Sequence, residues 1–221
     1  MNSGELYAAF RSDVADTAQP YLWSDEEVFR YMADAYRMFV RDTGGIADST
    51  SDVCRIQLIA GSAWADHDPR ILKFRDGATL ESSGRQVELR SIENLSPSAL
   101  FLKITAPGPV RYMVTGEERN KVRVVQIPVE DDAILVPVYR LPLDEPRIGQ
   151  TSFEFDEIDT HHHEHLLLWM KSRAYGKQDA DAFDRSKRDE YKTAHDAYCL
   201  KASAEMARQR HKNRTITYGG L

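Results

Sequence analysis

The hydrophobic period of this chain changes twice, and that change limits the folds open to it. Up to about residue 45 apolar residues recur every three or four positions, as on one face of a helix. From there to about 150 they come in short β-branched runs broken by turn residues, and from 155 the helical period returns. Helix, strand, helix in that order predicts an α+β fold. The N- and C-terminal helices need one another's apolar stripes, so the expectation is a helical bundle interrupted by a small antiparallel β-sandwich or barrel. The boundaries expected are 1–50 with 151–210 for the bundle, 51–150 for the inserted β domain, and 211–221 for an extended C-terminal tail.

The first helix is expected over 5–17, with Leu6, Phe10 and Val14 on one face and Pro20 beyond its end. The second has the clearest start in the chain. Ser24 and Glu27 stand in a capping-box relation, and Trp23 and Val28 occupy the positions of a hydrophobic staple. Val28, Met32, Ala35, Tyr36 and Phe39 continue as a stripe until Gly44-Gly45. Strands are expected at 53–60, 70–74, 78–81, 86–90, 110–115, 121–127 and 133–139, with 47–52 as a polar loop. A third helix is expected to start near Asp159 or Thr160 and stop at Gly176. A fourth runs from near Asp179 to about Arg210 with Phe183, Tyr191, Ala194, Tyr198 and Ala202 on its inner side. A helix that long is expected to project beyond its own domain.

Composition narrows the function. With 42% hydrophobic and 29% charged residues the chain is ordinary for a globular protein, and no apolar run is long enough to span a bilayer. The N-terminus lacks a leader pattern, so assembly in a cytoplasm is expected, and the two cysteines, Cys54 and Cys199, read as reduced, partly buried small hydrophobes. A net charge of −6 argues against a nucleic-acid binder. The C-terminus departs from that balance: Arg208, Arg210, Lys212 and Arg214 come with no acidic residue among them, followed by Ile216, Tyr218 and Leu221. Such a tail can neutralise phosphates, dock into an acidic or mixed groove of a protein, or simply stay unstructured. The apolar anchors favour the protein partner over phosphate contact.

The densest chemistry is THHHEH (160–165), with four histidines in five positions. If helical, His161 and His165 share a face and are the weak candidates for a metal site. The alternative is a helix N-terminus with one or two histidines packed against a neighbour. No His-Glu-x-x-His motif, P-loop or Gly-x-Ser-x-Gly elbow is present, His67, His195 and His211 are isolated, and Asp131-Asp132 reads as a solvated turn. No catalytic residue and no cofactor is therefore expected.

Several stretches carry a resemblance. ELYAAFRSDVADT (5–17) with PYLWSDEE (20–27), IAGSAWA (59–65), DPRIL (68–72), NKVRV (120–124), VYRLPL (138–143), FDEI (155–158) and AYGKQDADAF (174–183) are together similar to the head-to-tail adaptor, or connector, proteins of short-tailed phages. The resemblance implies a non-enzymatic virion protein, assembled in the host cytoplasm into a ring typically of twelve copies between the portal protein and the tail nozzle or tube. It implies helical bundles side by side around the ring, a β module facing the tail, and a C-terminal segment docked on the portal. Genome DNA would pass through the channel without specific binding, and no membrane is involved. Another neck or tail component, such as a head-completion or nozzle protein, and a histidine-cluster metal-binding protein are the alternatives. The four histidines match no feature of the family.

Overall fold

A computed structural model describes residues 1–94, 106–179 and 181–209. The chain forms two compact units, the first from residues 1–44 and 142–221 and the second from 45–141. The class is mixed α+β, with four α-helices and ten short strands among the described residues.

The first unit holds α1 (Ser3–Asp13), α2 (Asp25–Asp42), α3 (Leu166–Tyr175) and α4 (Arg185–Gln209). α1 starts earlier than its apolar period indicates because Asn2 and Glu5 form a capping box of their own. At α2 the Glu27 amide donates to the Ser24 hydroxyl at 3.2 Å, and the Ser24 amide donates to the Glu27 carboxylate at 2.9 Å. Trp23 and Val28 are both buried, as are Met32, Ala35, Tyr36 and Phe39. α3 packs against α2 and α4, with α1 beside it. The Trp23 indole N–H donates to the Ala174 carbonyl at 3.1 Å, and its ring meets Phe10 and Tyr175 edge-on.

One buried charge organises the turn between α1 and α2. Arg11 pairs with Asp16 and, at 2.7 Å, with Asp25, and donates to the Trp23 carbonyl at 2.6 Å. Asp16 in turn accepts from the amides of Leu22 and Trp23. The guanidinium and carboxylate thus satisfy backbone groups that the turn would otherwise bury unpaired.

The second unit contains three sheets. β1 (Ile46–Asp48), β10 (Val138–Arg140) and β4 (Ile71–Phe74) form one, in that order. β2 (Arg55–Leu58), β9 (Asp132–Leu135) and β5 (Thr79–Leu80) form another. β3 (Trp64–Asp66), β8 (Lys121–Val125), β7 (Tyr112–Thr115) and β6 (Glu88–Ser91) form the third. Pairing is antiparallel except for β6 and β7, which run parallel, and no sheet closes into a barrel among the described residues. Alternation sets the faces: in β2, Ile56 and Leu58 point into a core shared with Met113, Val122, Val124, Ile134 and Val138, while Arg55 and Gln57 point out.

Three sequence expectations need correction here. The run 133–139 is two strands in two sheets, divided at Val136-Pro137, because Pro137 has no amide to offer a ladder. The region 47–52 is not all loop, since β1 reaches Asp48. α4 begins at Arg185, not near Asp179, and its inner side differs: Phe183 and Ala194 are exposed, and His195, Cys199 and Ala202 are buried.

Candidate functional site

α4 is the element from which the C-terminal tail departs. Asp184 caps its start, accepting from the Lys187 amide at 3.1 Å. At 25 residues it is roughly 37 Å long, from a rise of about 1.5 Å per residue. Tyr191 stacks on Tyr175, and Tyr198 reaches the histidine segment. The outward side carries ion pairs such as Lys192–Asp196 at 2.6 Å, together with Leu200, which is 75% exposed. From Ser203 to Arg208 no residue is buried; Ser203 and Met206 are half-buried and the others are exposed, Arg208 among them. Of the tail residues singled out from sequence, only Arg208 is described. Arg210, Lys212, Arg214, Ile216, Tyr218 and Leu221 lie outside the described residues.

The histidine segment is a 3-10 helix, Thr160–His165, leading into α3. Its tighter winding eclipses side chains at i and i+3, not i and i+4. His161 is exposed and lies with Asp159 and His162 in one group of possible ligand atoms, while the His165 ring stacks 3.5 Å from that of Tyr198. His162 and His163 are buried. The Tyr198 hydroxyl and His162 Nδ1 are hydrogen-bonded at 2.8 Å, and Phe39 lies against the same imidazole. His163 receives the chain's start: Nδ1 lies 3.1 Å from the Met1 carbonyl and Nε2 3.1 Å from the Ile158 carbonyl. Burial, with repulsion from His161, pushes the His162 imidazole below its ordinary range, and burial does the same to His165. These rings serve as aromatic packing, His162 against Phe39 and Tyr198, His165 against Tyr198 and His163 against Phe155.

Asp131 and Asp132 do more than face solvent. Asp131 accepts from the Ala60 amide at 2.8 Å, and Asp132 from the Ser82 hydroxyl at 2.7 Å, so both fasten turns. Sequence reading also missed that His195 is not isolated. Cys199 Sγ lies 3.3 Å from its Nε2, one helical turn along α4, and the signal for this was the His-x-x-x-Cys spacing within a helical period. The pair is unsuited to nucleophilic catalysis, because burial pushes the Cys199 thiol up to about 12, the reverse of activation.

The comparison with known families makes the class specific: the family model of the SU10 adaptor protein matches residues 1–216, and the chain belongs to that family. The resemblance to phage head-to-tail adaptors is borne out by this match. No curated protein matches the chain. None of the helices among the described residues is long and apolar enough to cross a membrane.

Proposed function

We propose that this protein is the subunit of a head-to-tail adaptor ring, joining the portal to the tail nozzle or tube of a short-tailed phage and continuing the channel for DNA. The observation that carries the reading is the family match along residues 1–216, which takes in the helices, the β unit and most of the tail. The helices of the first unit act as a bundle that packs side by side with its neighbours in a ring of twelve copies, and the β unit, as a small sandwich, meets the tail. The exposed end of α4 delivers the tail to the portal. There Arg208, Arg210, Lys212 and Arg214 pair with acidic groups, and Ile216, Tyr218 and Leu221 fill apolar pockets.

A chain of net charge −6 repeated around a ring makes an acidic wall. Such a wall repels the phosphate backbone and lets DNA slide without sticking. The test is deletion of residues 208–221. A folded chain that no longer binds the portal supports the docking role, and unchanged portal binding contradicts it.

A further inference from the structure

Within the helical unit, α4 turns His195 and Cys199 inward, where they are 1% and 3% exposed. Opposite them stands Asp42, the last residue of α2, with its Oδ2 3.5 Å from His195 Nε2. Cys199 Sγ is 3.3 Å from the same nitrogen, and the three donor atoms all lie within 4.8 Å of one another. We propose that Asp42, His195 and Cys199 form a zinc-binding site that ties the C-terminal end of α2 to α4, one ion per chain.

The geometry is close to what the metal needs. Tetrahedral zinc with bonds of roughly 2.0–2.3 Å holds its donor atoms roughly 3.3–3.6 Å apart. Two of the separations already lie at that value, and the third, between Asp42 and Cys199, is within 4.8 Å. The donor set, one thiolate, one imidazole and one carboxylate, suits zinc better than the oxygen-seeking magnesium or calcium. Asp42 has a 34% exposed side chain, which leaves an approach for the ion and a fourth position for water.

Electrostatics point the same way. The C-terminal end of a helix carries partial negative charge, so a carboxylate there is unfavourably placed unless a cation joins it. Among the described residues Asp42 pairs with His195, at 3.5 Å. A divalent ion between Asp42 and Cys199 removes that mismatch.

Coordination converts the Cys199 thiol to a thiolate. The sulfur lone pair forms the metal bond, the S–H bond breaks, and the proton leaves to buffer past Asp42. Among the described residues His195 Nδ1 is buried without a partner, so the ring lacks the outer hydrogen bond that fixes most ligand histidines. Affinity below that of a closed four-ligand structural site follows.

The test is titration of the full-length, metal-free protein with Co2+, followed by displacement with Zn2+. The expected result is one ion per chain, a cobalt–thiolate charge-transfer absorption that Zn2+ abolishes, and release of one proton per ion. Asp42→Asn, at a partly exposed position, should weaken binding at least tenfold in a folded protein. Cys199→Ala should remove the charge-transfer absorption, whereas Cys54→Ala and His161→Ala should keep it. Absence of the thiolate absorption with Co2+ in excess, or its survival in Cys199→Ala, would overturn the proposal; cobalt bound without it would place the ion elsewhere, as at Asp159 and His161.

Discussion

Asp48 and Arg140 form a buried ion pair between the first and last strands of the β unit, each side chain only 6% exposed. Asp48 stands opposite Val138 in the β1–β10 ladder, so Arg140, two residues on, is its diagonal neighbour on the same face. Asp48 also accepts from the amides of Thr50 and Ser51. One carboxylate thus fastens the place where the chain enters the unit to the place where it leaves. Removing it takes the Asp48 carboxylate away from a buried guanidinium. Asp48→Ala should destabilise the β unit by about 3–5 kcal/mol, and adding Arg140→Met should recover part of that. Urea denaturation of the two variants checks both statements.

The same carboxylate gives stability a pH dependence. Burial acts to raise Asp48, but the amides of Thr50 and Ser51 and the Arg140 guanidinium outweigh it and hold the group well below the usual carboxylate range. A depressed folded value stabilises the protein above the unfolded value of about 3.9, and the contribution is lost as pH falls from there toward the folded value. The stability gap between the native protein and Asp48→Asn should be constant from about pH 7 to about pH 5 and shrink below about pH 4. Urea midpoints measured across that range decide it; a gap that persists in acid would contradict the assignment.

At the start of α2, Ser24→Ala removes the oxygen that accepts from the Glu27 amide. The expected loss is about 1 kcal/mol. Glu27 also pairs with Lys177 at 2.9 Å, just past the end of α3, so Glu27→Gln should weaken both contacts. Thermal unfolding by circular dichroism reads each variant.

How far these features could be read from sequence depended on how local their causes are. Ser24, Glu27 and the stripe from Val28 to Phe39 lie within a few turns of one another, and the sequence pattern placed them correctly. β1 and β3 are three residues each, and β1 exists only because β10 pairs with it from some ninety residues further on. Nothing local to Ile46 announces that partner. Arg11 and Arg140 look like surface residues until the carboxylates that neutralise them are in place. On α4 the apolar count favoured Ala194 over His195, because an imidazole counts as polar even when its ring packs against Trp169. The tail past residue 209 is legible only as a pattern of basic residues and apolar anchors.

In that tail the anchors should matter more than the charges. Tyr218→Ala is expected to weaken portal binding about tenfold or more, since buried aromatic residues dominate interfaces. Arg214→Ala should cost less and lose its effect as salt rises. Binding assays at two ionic strengths separate the two contributions; equal, fully salt-sensitive losses would point to a purely electrostatic tail.

The central claim is tested most directly by negative-stain electron microscopy of this protein mixed with the portal of its phage, beside each component alone. The account predicts a ring added to one face of the portal, with subunits that can be counted. Portal particles without added density, at protein concentrations well above those of the portal, would contradict it.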